Sequence, residues 1–293
     1  MPPPSVPVVE ACADLPSELS EHWVAFDSVR SGFNRDIYLV RANGMDITRV
    51  TTDASSEREP AFAPDGERLA YVSDSSGSFQ VHIRDLKTGE TKQLTQRTEG
   101  ADQPSWSADG KQLVFHSGSA IFIVDATGDN QRELARGDDN FNAYKYPVLS
   151  PNGLEVVFDR NNEINALSLA GGEKRYVVQN WTTLEETPAI SRDGFQVAFG
   201  VGCGSVERIG VVPLAGYAAD PCKVSFATRV DTGAARRPAW GPDNVLAYER
   251  GDQESASGIS ISIVRELGGA PCDVVPGGAN HNPHWAPDQF KGL

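Results

Sequence analysis

One repeated segment constrains this chain more than any other feature. Pro60-Ala-Phe-Ala-Pro-Asp-Gly66 returns as Pro104-Ser-Trp-Ser-Ala-Asp-Gly110, Pro147-Val-Leu-Ser-Pro-Asn-Gly153, Pro188-Ala-Ile-Ser-Arg-Asp-Gly194, Pro238-Ala-Trp-Gly-Pro-Asp-Asn244 and Pro283-His-Trp-Ala-Pro-Asp-Gln289. The leading prolines lie 44, 43, 41, 50 and 45 residues apart. A near-constant period of this length marks stacked supersecondary units, none of which buries its apolar face alone. Four-stranded propeller blades and helical repeats both have such periods.

The runs between the corners decide for strands. Each Asp-Gly corner precedes a short β-rich run: Leu69-Ala-Tyr-Val72, Leu113-Val-Phe115, Val156-Val-Phe158, Val197-Ala-Phe199 and Leu246-Ala-Tyr248. These are too short for helices and rich in β-branched and aromatic residues. A second run follows, as in Val81-His-Ile83, Ile121-Phe-Ile-Val124 and the alternating Ile259-Ser-Ile-Ser-Ile263. A Gly-containing turn (Thr88-Gly89, Thr127-Gly128, Gly171-Gly172, Gly268-Gly269) then leads to a third run ending near Leu94, Leu134, Val178 or Val275. With the strand carrying Phe62, Trp106, Leu149, Ile190, Trp240 or Trp285, each repeat supplies four strands. The reading is an all-β chain, a six-bladed β-propeller of four-stranded antiparallel blades.

Both chain ends fit that reading. Trp23-Val-Ala-Phe26, Ile37-Tyr-Leu-Val40 and Ile47-Thr-Arg-Val50 read as strands two to four, and His284-Trp285-Ala-Pro-Asp288 as a first strand with nothing after it. Pairing the C-terminal strand with the N-terminal three strands would close the ring and leave no open edge there. The expected organisation is an arm or linker at residues 1–21 and one propeller domain at 22–290.

These motifs resemble the TolB-type propeller repeat, also called the WD-like repeat: Pro-x-Trp-Ser-Pro-Asp-Gly followed by an Ile-Ala-Phe-type strand. Residues 59–95 are the best copy, and the resemblance covers about residues 22–290. It implies the fold; function resides in sites grafted on the scaffold. TolB carries an α/β domain ahead of its propeller, whereas about 20 residues precede the first strand here, so the sequence reads as the propeller alone. The Pro-Asp-Gly corners read as turns, because Pro presets φ, Asp bonds the backbone ahead and Gly accepts positive φ. Asn244 and Gln289 replace Gly in the last two copies. Asn tolerates the left-handed region better than Gln, so the final corner should differ in shape. Trp106, Trp240 and Trp285 read as inter-blade packing.

In an up-and-down blade the connection into strand one and the connection between strands two and three share one end of the ring. The residues ahead of each leading Pro should therefore line one mouth of the channel: Arg58-Glu59, Asp102-Gln103, Lys145-Tyr146, Glu186-Thr187, Arg236-Arg237 and His281-Asn282. Asp27, Asp74, His116, Arg160 and Glu249-Arg250 join them from the loops after strand two. Arg58, Lys145, Arg160, Arg236, Arg237 and Arg250 are placed to form a cationic arc for a carboxylate or phosphate. The plainer alternative pairs Arg58 and Arg236 with Glu59, Glu186 and Asp102 as rim salt bridges. A metal-dependent lyase or hydrolase would draw on His281, His284 and His116, with Asp102 or Glu186. Only 5 His are present, spread over different blades, and no nucleophile-elbow, metalloprotease or phosphate-loop motif occurs. No metal or cofactor is expected.

The formal net charge of −14 is spread along the sequence without a basic block, which argues against a nucleic-acid partner. No run approaches the roughly 20 apolar residues of a transmembrane helix. Cys12, Cys203, Cys222 and Cys272 lack zinc spacing. A Cys12–Cys272 bridge is geometrically reasonable at the end opposite the mouth. Cys203 and Cys222 fall at opposite ends of a full-length strand, about 20 Å apart, so their bridge requires a folded-back blade, which the 50-residue spacing there permits. Free buried thiols are the alternative. The opening Met-Pro-Pro-Pro-Ser-Val-Pro resembles a linker after a cleaved export signal, with Met1 an added start. The expected setting is periplasmic or secreted, with a cytoplasmic propeller as the alternative. The functional expectation is a monomeric, non-catalytic module binding a protein or peptide at the mouth or blade edges, with a small anionic ligand as a further possibility. The other readings are a structural part of an envelope complex, and a carbohydrate- or small-acid-acting enzyme with a metal at the mouth.

Overall fold

The computed structural model describes residues 15–138, 143–172, 174–179, 185–204, 206–228, 234–251, 258–265, 267–269 and 271–293. After a four-residue helix, α1 (Ser17–Ser20), come β1 (Trp23–Ser28), β2 (Asp36–Arg41) and β3 (Thr48–Arg49). Blade one is β4 (Glu57–Phe62), β5 (Arg68–Ser73), β6 (Gln80–Asp85) and β7 (Thr91–Gln93). Blade two is β8 (Asp102–Trp106), β9 (Gln112–Ser117), β10 (Ala120–Asp125) and β11 (Arg132–Arg136). Blade three is β12 (Tyr144–Leu149), β13 (Glu155–Arg160), β14 (Ile164–Ser168) and β15 (Lys174–Val178). Blade four is β16 (Glu185–Ile190), β17 (Gln196–Cys203), β18 (Val206–Pro213) and β19 (Ser225–Phe226). Blade five is β20 (Ala235–Trp240), β21 (Leu246–Arg250), β22 (Gly258–Val264) and β23 (Cys272–Val275), and β24 (Gly278–Trp285) ends the series.

The ring closes as its two ends predict. β24 pairs antiparallel with β1, Val24 opposite Trp285 and Ser28 opposite Asn280, so blade six is β24-β1-β2-β3. The first strands touch in succession, β4 with β8, β8 with β12, β12 with β16, β16 with β20, β20 with β24 and β24 with β4. They surround a central channel. β24 also meets β22 in parallel at Gly278 and Ala279, which joins blades five and six into one sheet.

Local chemistry explains the corners. Gly66 holds φ +71° and donates to Ala63 O at 3.0 Å, while Asp65 Oδ1 accepts from Glu67 N at 2.8 Å. In blade five Asp243 and Asn244 both take positive φ. The last corner does differ in shape: Gln289 stays out of the left-handed region, and Phe290 N donates to Pro287 O at 3.0 Å instead.

The tryptophans do bind blade to blade. Trp106 Nε1 donates to Ala61 O at 3.0 Å and Trp240 Nε1 to Ala189 O at 3.1 Å, each reaching the preceding blade. Around them the core is built across seams, as where Ala61, Ala70 and Val81 of blade one meet Trp106, Phe115 and Phe122 of blade two. Trp285 lies over Gly241, where a Cβ would sit 2.5 Å from its ring, so only glycine allows blade six to seat on blade five.

Cys203 and Cys222 are bridged, with Cα atoms 5.7 Å apart. The obstacle of a full strand between them is removed because β18 does not turn straight into β19. The connection runs back along blade three, where Ala218 bridges Val178 and Ala218 N donates to Val177 O at 2.9 Å, and a 3₁₀ turn at Pro221–Lys223 follows. The extra length of this repeat is that excursion. Cys272, at the start of β23, is also disulfide-bonded; Cys12, its expected partner, lies outside the described residues.

Candidate functional site: the channel mouth

Each first strand breaks register at the same point. The β4–β5 ladder pairs Arg58 with Val72 and resumes at Ala61 with Ala70; matching gaps fall between Asp102 and Ser105, Lys145 and Val148, Glu186 and Ala189, and Arg236 and Ala239. Within each gap, and again in β24, the residue ahead of the leading proline is left-handed: Glu59 (φ 56°), Gln103 (56°), Tyr146 (51°), Thr187 (52°), Arg237 (49°) and Asn282 (52°). Such conformations cost about 1–3 kcal/mol each and persist only where the surroundings over-determine them. The following proline has no N–H to lose from the ladder.

Side chains stitch this ring together across the seams. Asp27 Oδ1 accepts from Glu59 N at 3.1 Å, Glu59 Oε2 from Gln103 N at 2.7 Å, and Gln103 Oε1 from Tyr146 N at 2.6 Å. Glu249 Oε1 accepts from Asn282 N at 2.8 Å, and Asn282 Nδ2 donates to Asp27 Oδ1 at 2.7 Å. Above the ring, a mouth cavity of about 400 Å³ is lined in part by Asp27, Arg35, Arg58, Arg237 and His281. Below it, the channel holds a second cavity of about 230 Å³, walled by the six leading prolines with Trp240, His284 and Trp285.

The cationic arc is largely neutralised within the protein. Arg58 lies 3.8 Å from Glu59 and 3.7 Å from Asp102, and its guanidinium covers the Phe79 ring at 3.9 Å. Arg237 Nη1 bonds both oxygens of Glu249, at 2.9 and 3.1 Å, and Arg35 bonds Asp27 at 2.6 Å. Arg236 pairs with Glu207 rather than with Glu186, which is exposed. Arg160 approaches Asp138 at 3.8 Å. Arg250 turns to the outer strand of its own blade, bonding Asp273 and Ser262, and Lys145 is exposed. His116 gives Nδ1 to Asp102 and Nε2 to Gly118 O, both at 2.7 Å, so neither ring nitrogen is left for a ligand. His281 Nδ1 lies 3.3 Å from Glu249. His281 and His116 therefore belong to separate pairs on blades six and two, and among the described residues no three His, Cys, Asp or Glu side chains converge as metal ligands. Arg35 was not legible as a mouth residue, since it sits in a loop with no repeat signal.

Burial sets the protonation of the ring. It opposes the Glu249 charge, but His281, Arg237 and the Asn282 N–H outweigh it and hold this carboxyl down at about 2. Burial also opposes the Arg237 charge, yet Glu249 raises its pKa overall. Glu59 goes the other way: burial first, then the Asp102 carboxylate, push it up to about 7. His284, below the ring, is pushed down to about 4 by burial and is neutral at pH 7.

The Glu59 shift carries a pH dependence. Its folded pKa lies above the unfolded value, so the stability it contributes is full below about pH 4.5 and is lost as pH rises through about 7. Glu59→Gln retains an oxygen for the Gln103 N–H, so the variant should gain about 1–3 kcal/mol on the parent between pH 5 and pH 8. Urea unfolding of both proteins at the two pH values checks this; parallel pH profiles would refute it.

The fold and the corner motifs agree with what comparison finds. The family model described as the TolB beta propeller domain matches residues 20–167. The chain belongs to the TolB β-propeller family. A protein TolB homolog of Chlorobium luteolum is 30% identical over 179 residues, covering 56% of this chain and 39% of that one. The uncharacterized peptidase YuxL of Bacillus subtilis is 37% identical over 123 residues, covering 38% of this chain and 18% of its own length. The matches thus span less than half the length of these relatives. The crystal structure of TolB from Acinetobacter baumannii matches with a TM-score of 0.77 at 19% identity, covering 94% of this chain and 69% of that one, and shares the fold.

Proposed function

We propose that this propeller is a non-catalytic binding module that takes a protein or peptide partner at the channel mouth. The observation that carries the reading is the mouth itself: an open cavity of about 400 Å³ whose charged walls are held in place by reciprocal bonds before any ligand arrives. Preorganised walls reduce the ordering cost of binding. Three of the six blade edges are poorer candidates: the outer strands β3 and β19 are two residues long and β7 three, too short a ladder for strand addition, whereas β11 and β15 have five and β23 four.

Catalysis finds less support. His281 with Glu249 has the form of an oriented base, but among the described residues no Ser, Thr, Cys or Lys lines the mouth cavity as a nucleophile. The two disulfide-bonded regions favour an oxidising compartment, periplasmic or secreted. Panning a displayed random-peptide library against the whole protein tests the reading, with an Arg58→Glu variant as counter-screen. Enriched peptides should bind the parent and lose about tenfold or more in affinity for the variant. Peptides that bind both equally, or stoichiometric metal in the parent that is lost in His281→Ala, would overturn it.

A further inference from the structure

The ring of seam bonds has a gap. At four seams a side-chain oxygen of one blade accepts the left-handed N–H of the next, and Asp27, Glu59 and Glu249 supply three of those acceptors as carboxylates. At the other two, the Thr187 N–H between blades three and four and the Arg237 N–H between blades four and five have no such acceptor among the described residues, and the second of these seams is the one with space for a ligand. Register gives the reason. Asp27 and Glu249 are the second-strand residues paired with His281 and Arg236, immediately ahead of the left-handed Asn282 and Arg237. In blade four the same position, paired with Glu186 ahead of Thr187, is Gly200.

The space that glycine leaves is open and polar. A Cβ at Gly200 would lie 3.6 Å from Glu186 O, 3.9 Å from Arg236 Cα and 3.9 Å from Thr187 Oγ1, so a side group fits there and points into the seam. A cavity of about 200 Å³ occupies the place, with Glu186, Thr187, Gly200, Glu207 and Arg236 among its lining residues. Thr187 is 8% exposed and its hydroxyl is buried with no hydrogen-bond partner, an arrangement that costs stability unless something accepts its proton. Glu207 is already held by Arg236, and Glu186 faces water.

We propose that this gap is a carboxylate subsite of the mouth. The carboxylate of an aspartate, a glutamate or a peptide's C-terminal residue takes from the Arg237 N–H and the Thr187 hydroxyl the bonds that Asp27 and Glu249 take at their own seams. Arg236, paired with Glu207 in the same wall, is the cation beside it. The subsite deepens the binding reading by naming a group that the partner presents, but its test needs no partner.

The amides of Arg237 and Thr187 are followed by NMR in the whole ¹⁵N-labelled protein during titration with N-acetylglycine, and separately with N-acetylglycinamide. The acid should move both signals saturably in the millimolar range and the amide should not. Gly200→Asp supplies the acceptor from within: it should shift the Arg237 signal without ligand and weaken the response to the acid by about tenfold or more. Thr187→Val, which keeps the shape of the side chain, should weaken the response several-fold and serves if Gly200→Asp does not fold. An Arg237 signal that ignores the acid, responds equally to the amide, or titrates unchanged in either variant would overturn the proposal. Saturable acid binding in a protein for which panning yields no peptide would leave the subsite standing and remove the peptide reading alone.

Discussion

Replacing Glu249 with alanine is expected to cost about 3–5 kcal/mol of folding stability, the typical penalty for breaking a buried ion pair by removing one partner. Glu249 is 3% exposed and serves three groups at once: the Arg237 guanidinium, the Asn282 N–H and His281. Its loss leaves a cation and a backbone donor without acceptors at the seam where blade six closes on blade five. Solvent relieves part of the first cost, since the Arg237 side chain is 30% exposed, which places the expectation toward the lower end of that range. Urea unfolding at pH 7 measures it, and a change below about 1 kcal/mol would mean the ring does not depend on this carboxylate. The pH dependence has a definite sign. Because the folded pKa of Glu249 is depressed, its contribution is full above about pH 4.5 and disappears as pH falls toward 2, so parent and variant should converge in acid. Arg237 should also lose its fixed position, so peptides selected for the parent should bind the variant more weakly.

The second large effect is expected at Trp285, where Trp285→Ala should cost about 3–5 kcal/mol. The ring is 4% exposed and packs with Leu19, Val24, Val245 and Ile263, drawing together the first and last segments of the protein. β24 is the innermost strand of blade six, so weakening it exposes the inner edge of β1. An exposed edge is a template for association. Light scattering should accordingly detect self-association of the variant before the parent during mild heating. Trp285 Nε1, unlike its counterparts in Trp106 and Trp240, has no hydrogen-bond partner among the described residues. Trp285→Phe removes that donor with most of the apolar bulk kept, and should fall within about 1.5 kcal/mol of the parent. If alanine and phenylalanine cost the same, the ring's volume is not what seats the closing strand.

Much of the site was legible, though as positions rather than as bonds. Strand counting puts the residue ahead of each leading proline at one end of the channel; Glu59, Arg237 and Asn282 line the mouth cavity, and Gln103 and Tyr146 the cavity below it. Their left-handed backbone was not legible, because nothing in the residue types demands it: Glu, Gln, Tyr, Thr and Arg all normally avoid positive φ. Arg236 and Arg250 read as members of a cationic arc, but each is committed to a carboxylate that strand counting did not place beside it, Glu207 and Asp273. The Cys203–Cys222 bridge depended in the same way on an excursion whose length was visible and whose direction was not.

The sequence by itself determined the strands, the corners, the number of blades and the manner of closure. The strands and corners follow from interactions within a few residues, such as Asp65 with Glu67, and the blade count and closure follow from counting those units at a fixed period. Tertiary structure alone decided which charges neutralise one another and which seams lack an acceptor. Those contacts join residues as distant as Asp27 and Asn282, 255 positions apart, or depend on a missing side group at Gly200 that gains meaning only beside Arg237. Local steric and turn preferences propagate along a polypeptide and can be read from it, whereas electrostatic pairing across seams depends on geometry that exists only once the ring has closed.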